Sequence, residues 1–140
     1  MNDIINKLNI SINNDDNNEL LKLNTEIIKK DKYNILKKIN LTRDEIILYL
    51  NKLEEYRYID EYYELKYGTY IRFIKLTNKE NIKLYNGGII CDIKIVNDGI
   101  VIKCKNFMNK FFVIKMHENL IFQKITQEEK LIFMLLDYIK

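Results

Sequence analysis

The stretch LYNGGIICDIKIVNDGIVIKCK, residues 84 to 105, gathers three of the four glycines, Gly87, Gly88 and Gly99, and both cysteines, Cys91 and Cys104. Glycines beside a strand cradle phosphate when a helix N-terminus comes next, and paired thiols hold metals or close disulfides. Neither chemistry has its context here. Asn86-Gly87-Gly88 and Asn97-Asp98-Gly99 each lead into alternating, strand-like sequence, so both triplets read as hairpin turns or bulges that need positive φ. The cysteines stand thirteen positions apart with no second pair and no neighbouring histidine, so no metal site, cofactor or disulfide framework is expected. A hairpin turning about Asp98 and Gly99 would pair Ile93 with Cys104 and leave Cys91 on the same face, making both thiols small core residues. The single histidine, His117, falls in a turn, and the carboxylates of YIDEYYE carry nothing that marks an acid and a base. The expectation is a protein that is not an enzyme.

Two residue groups have the types and spacing to hold a polyanion. Lys29, Lys30, Lys32, Lys37 and Lys38 precede a helix, turn and capped helix that resemble a winged-helix arrangement. Against it, the helix that would enter the groove carries Asp44, Glu45, Glu54 and Glu55 beside Arg43 and Lys52, and a polyanion is repelled by such ends. The second group is Tyr70 and Arg72 on one strand face, with Lys94, Lys103, Lys105 and Lys115 at the outward phase of other strands. An aromatic and basic mix of this kind can stack bases and hold phosphates. The alternative is that these lysines keep a small sheet soluble and guard its edges. Composition weighs on that side: Ala, Pro and Trp are absent while Ile, Asn, Lys and Tyr are over-used, as AT-rich coding favours, and net charge is only +3.

The elements that must position these residues are set by hydrophobic period. Leu20, Leu23 and Ile27 predict a helix over about 17–30 after a mobile loop at 11–19. Ile35 and Ile39 predict a short second helix over 32–39. Thr42 and Glu45 form a capping box, opening a third helix that runs to about Tyr56. The chain divides near residue 60, and from Tyr70 onward the period is two. TYIRFIKL, NIKLY, IICDIKIV, IVIKCK, KFFVIKM and LIFQKI predict five or six antiparallel strands, enough for a small SH3-like or OB-like barrel or a curled sheet. Thr126 and Glu129 form a second capping box before a final helix, apolar on more than one face. The fold class is α+β, with a helical N-terminal segment, 1–58, succeeded by a β-barrel with its C-terminal helix, 59–140.

With 140 residues and 47% of them hydrophobic, the chain can bury one core without disulfides, and free thiols fit a reducing intracellular compartment. No apolar run approaches the ~18 residues of a membrane span, and no signal peptide is expected. The succession ELKYGTYIRFIKL, LYNGGIICDIKI and FFVIKMHENLIFQKITQEEKLI resembles small proteins of nucleocytoplasmic large DNA viruses, the giant viruses. The likeness spans about residues 59 to 137 and is carried by Gly68, Tyr70, Ile71 and Arg72, by Gly87 and Gly88, and by Phe122, Gln123 and Lys124. Phe73 stands where Trp is expected. The resemblance implies a viral protein of the host cytoplasm or the virion, with no assigned activity and no catalytic residue. The expected function is a non-catalytic interaction or structural module, contacting a protein partner or itself through the C-terminal helix and the tyrosines of YRYIDEYYELKYGTY. The alternative is nucleic-acid binding through either lysine group.

Overall fold

The computed structural model describes residues 24–139. The loop expected at 11–19 and the start of the first expected helix, with Leu20, Leu21 and Leu23, lie outside them. From Asn24 onward the two helices expected over 17–30 and 32–39 are one helix, α1 (Thr25–Lys37), N-capped by the Asn24 side chain, which accepts from the Ile27 amide at 2.9 Å. The expected break near Asp31 is absent because Lys32, a solvent residue by type, is drawn inward. Ile28, Lys32 and Leu36 form one buried stripe at i, i+4 and i+8. The Lys32 stem packs inside and its ammonium donates to the Leu53 carbonyl at 2.8 Å, at the end of the next helix. Burial pulls the Lys32 ammonium below its usual range, opposed by the charge of Glu54.

Helix α2 (Arg43–Lys52) starts at the expected capping box, with Thr42 and Glu45 each accepting from the other's backbone amide. It stops at Leu53, short of the expected Tyr56, because Tyr56 to Ile59 are taken into a strand. That strand, β1 (Tyr56–Ile59), pairs antiparallel with β6 (Asn119–Lys124). The other strands are β2 (Tyr70–Lys75), β3 (Leu84–Val96), β4 (Gly99–Lys105) and β5 (Phe111–Lys115). The six form one antiparallel sheet in the order β1-β6-β2-β3-β4-β5, open at β1 and β5. Helix α3 (Gln127–Tyr138) starts from the second capping box, at Thr126 and Glu129.

Asn86-Gly87-Gly88 does not separate two strands. The segments expected at 81–85 and 89–96 are one strand, and the glycines form a bulge within it, where the pairing with β2 jumps from Ile71↔Gly88 to Phe73↔Tyr85. A two-residue hairpin joins β3 to β4, but it turns at Asn97-Asp98, with Val96 opposite Gly99, one residue before the Asp98-Gly99 turn expected.

The sheet wraps one core. Ile59, Ile71, Phe73, Ile90, Ile102, Cys104, Ile114 and Ile121, drawn from all six strands, form a single buried cluster. On the opposite face, Leu36, Tyr49 and Leu53 of the helical segment pack on Ile74, Leu84, Leu120 and Phe122. Helices α1 and α2 therefore cover β1, β6, β2 and the start of β3 from outside. A third cluster joins Ile28 of α1 to Ile132 and Phe133 of α3. Of the apolar faces of α3 one is turned inward: Ile132 and Phe133 are buried, while Met134, Tyr138 and Ile139 are exposed. Glu129 sets the rotation. Its carboxylate is drawn inward to Arg57 at 2.9 Å, and Ile132 and Phe133 lie three and four residues on, along the same stripe.

Arg57 and Glu129 are 3% and 0% exposed, so their ion pair is inside the protein. Arg57 also donates to Glu64 at 2.7 Å. Gln123, equally buried, accepts from the Lys66 amide at 2.8 Å and donates to the Glu64 carbonyl at 3.1 Å. This network ties β1, β6, α3 and the 61–69 connection together, and Ile90 of β3 holds the end of that connection through two backbone bonds with Gly68 and Thr69.

Candidate nucleic-acid interface

Antiparallel partners project to the same side of a sheet. The registers Tyr70↔Ile89, Ile89↔Lys105 and Lys105↔Phe111 therefore set one outward row across four strands. Asp92↔Lys103↔Val113 is a second row, and Lys94↔Val101↔Lys115 a third. All lie on the side that α1 and α2 cover further along the sheet, beyond the reach of those helices. The expected lysines Lys94, Lys103, Lys105 and Lys115 are thus brought together with Tyr70 on one bare face. Ile89, Phe111 and Val113 stand exposed among them. The Lys103 and Lys105 ammonium groups lie 4.7 and 5.7 Å from the Phe111 ring centroid, a cation–π arrangement that keeps both charges over the sheet. Asp92 is the carboxylate of these rows, and it pairs with Lys94 at 3.7 Å. Among the described residues Lys103, Lys105 and Lys115 have no ion-pair partner.

Arg72 shares the strand face of Tyr70 as expected but turns toward the bulge. Its Nε donates to the Tyr85 carbonyl at 3.3 Å and its Nη2 to Asn86 Oδ1 at 3.1 Å. The lysines of α1 do not join this surface. Lys30 pairs with Glu26 at 3.9 Å, Lys37 lies over the Tyr33 ring at 5.0 Å, and Lys29 lines a groove that also holds Glu54, Glu55 and Asp137. Lys38, the C-cap residue, is exposed, and Lys32 is buried as described. Sequence reasoning missed Phe111 and Phe107, although the alternation of KFFVIK places Phe111 and Val113 outward with Lys115.

The thiols are not a pair of core residues. The register joins Ile93 with Ile102 because the hairpin turns one residue earlier than expected, at Asn97-Asp98, and a second irregularity, which leaves Cys91 unpaired, then joins Ile90 with Cys104. Cys104 is buried and Cys91 exposed. Burial, with a smaller contribution from Cys91, pushes the Cys104 thiol up to about 12. Native protein should therefore consume one equivalent of a maleimide quickly and a second only on unfolding. Equal reaction of both thiols in the native state would refute this arrangement. His117, in the one-turn 3-10 helix Met116–Glu118, is exposed and lies 3.9 Å from Glu118. Among the described residues no group of three or more His, Cys, Asp or Glu is placed to hold a metal, and no helix is long and apolar enough to cross a membrane.

The arrangement is suited to binding: a basic surface with exposed rings and few carboxylates attracts phosphate and offers π-faces for bases. Comparison with protein-family models, with curated proteins and with solved structures finds no match to this chain.

Proposed function

We propose that this chain is a non-catalytic binding module whose ligand is single-stranded nucleic acid, held on the bare face of β3, β4 and β5. The observation that carries the reading is the gathering of Tyr70, Lys94, Lys103, Lys105, Phe111 and Lys115 on one uncovered side of the sheet. Solubility alone would be served by lysines placed anywhere; it does not call for exposed Ile89, Phe111 and Val113 between them. The sheet itself we read as SH3-like. That reading is supported by the neighbour order β6-β2-β3-β4-β5, by the bend that lets β3 serve both halves, and by the 3-10 turn leading into β6, with β1 added outside. The resemblance to giant-virus proteins supplies the setting, host cytoplasm or virion.

Fluorescence anisotropy with a labelled oligothymidylate over a salt series tests it. Three or four phosphate contacts predict that log K falls against log salt with a slope of about −2 to −3. Changing Lys103 and Lys105 to Gln should flatten the slope by about 1.4. Absence of binding at low salt would remove the reading. The competing role, a protein contact or self-association in a virion, is favoured by a different observation. Met134, Tyr138 and Ile139 of α3, and Tyr62, Tyr63 and Tyr67 of the tyrosine-rich connection, are exposed.

A further inference from the structure

At one rim of the sheet a cleft of about 460 Å³ opens between the β2–β3 bulge and the turn joining β4 to β5. Lys52, Arg72 and Lys83 line it, together with Tyr85, Asn86 and Phe107, and no carboxylate does. Other clefts of the described residues are acidic in part: Glu54, Glu55 and Asp137 line the groove between α1 and α3, and Asp60, Glu61 and Asp98 line the depression at the end of β1. Three cations line this cleft without a counter-charge, so it attracts an anion.

Each cation is positioned differently. Arg72 has two donor contacts, to the Tyr85 carbonyl and to Asn86 Oδ1, which fix the guanidinium plane and leave its remaining N–H groups free among the described residues. Lys83 stands 5.3 Å from the Tyr85 ring centroid, and Phe73 stacks on that ring at 5.1 Å with 8° between planes. The Tyr85 ring is therefore engaged from within by Phe73 and holds two ammonium groups beside it, Lys83 and, at 4.9 Å, Lys75. Lys52 comes from the last turn of α2. None of the three has an ion pair among the described residues. Phe107, in contrast, is 77% exposed at the lip of the cleft, a large ring with one side still in water. Burying such a ring against a flat partner is favourable, and a base beside a phosphate is the partner that uses ring and cations together.

We propose that this cleft is a subsite for one nucleotide unit, with Arg72, Lys83 and Lys52 on the phosphate and Phe107 stacked on the base. The proposal rests on the nucleic-acid reading and extends it: Lys105 of the bare face directly precedes the turn that carries Phe107, so a strand crossing the face would reach the cleft. The shared chemistry, a phosphate with an adjoining planar base, could come from a nucleic-acid strand or from a free nucleotide.

The experiment uses the whole chain and two ligands, an oligothymidylate of about fifteen nucleotides and thymidine 5′-monophosphate, against three variants. Phe107→Ala should weaken the strand about tenfold or more, while leaving the unfolding midpoint unchanged because the ring is exposed. Arg72→Gln with Lys83→Gln, which strips two of the three cations from that one phosphate, should lower the salt slope by about 0.7. Amide shifts of Asn86, Gly87 and Phe107 in a heteronuclear NMR titration report the cleft directly, and saturable shifts with the mononucleotide would make a free nucleotide the source. Strand binding that survives both cleft changes and is lost in Lys103→Gln with Lys105→Gln overturns the cleft and leaves the face. Mononucleotide shifts without strand binding keep the cleft and overturn the face. An acidic peptide that binds as tightly, with no dependence on Phe107, overturns the nucleotide assignment. So does the absence of any response to either ligand.

Discussion

Arg57→Ala should cost about 3–5 kcal/mol of folding stability, read as a lower urea midpoint at unchanged slope. The reason is the state of the partner left behind. Glu129 is fully buried, its Oε1 is already occupied by the Thr126 amide of the capping box, and its Oε2 faces Arg57 at 2.9 Å. Removing the guanidinium leaves an anion inside the protein with only the Lys66 ammonium nearby, at 4.0 Å, and Glu64 loses its donor as well. Small domains have about 5–15 kcal/mol in total, so a loss of this size takes a large share of the stability. The control is Arg57→Met with Glu129→Met. Taking both charges out removes the desolvation cost along with the attraction, so the double variant should recover part of the loss even though the helix cap goes with it. If Arg57→Ala and the double variant prove equally unstable, the pair is not the buried unit described. The single change should also free α3, because Glu129 is what turns Ile132 and Phe133 toward Ile28.

Gly87→Ala is expected to be the second most damaging change. At φ +70° a side chain is already disfavoured, and a Cβ built there would lie 1.9 Å from the Ile71 carbonyl oxygen of the neighbouring strand. Backbone in the left-handed region costs about 1–2 kcal/mol for a residue with a Cβ. The clash adds about 1–3 kcal/mol, since the obstacle is main chain of a paired strand and cannot rotate away. Gly68→Ala separates the two contributions: Gly68 has φ +79° but nothing within 4 Å of a Cβ, so it should show the conformational cost alone. Equal urea midpoints for the two variants would mean that β2 and the bulge do not approach as closely as described. Because Asn86 holds Arg72 next to this bulge, Gly87→Ala should also disturb the basic cleft.

The parts that the sequence could settle are those whose cause is local. Both capping boxes sit where Thr42-Glu45 and Thr126-Glu129 place them, because the reciprocal bonds span three residues and need nothing from elsewhere. Alternation in IVIKCK and KFFVIK correctly sends Lys103, Lys105 and Lys115 to solvent, since a strand with one buried face leaves no other choice. That a hairpin joins β3 to β4 is local too, although its turn lies at Asn97-Asp98, one residue before the position expected.

The rest was decided at long range. Whether Asn86-Gly87-Gly88 turns the chain or bends a continuing strand depends on Ile71 and Lys105, whose backbones close on the two glycines from strands on either side. One extra residue at Cys91 reversed the phase of Ile89 and Ile90 while Ile93 and Lys94 kept theirs, and no local signal marks a bulge between two isoleucines. Lys32 reads as solvent until the α2 terminus supplies a carbonyl for its ammonium. Arg57 and Glu129 are 72 positions apart and look like two surface charges until β1 pairs with β6. The interface shows both levels at once. Strand period alone set which lysines face outward, because period two is a property of each strand. Only the tertiary structure determined that α1 and α2 stop short of them and that Lys52, Arg72, Lys83 and Phe107 meet at one rim, because those positions depend on how helices and bulges pack on the sheet.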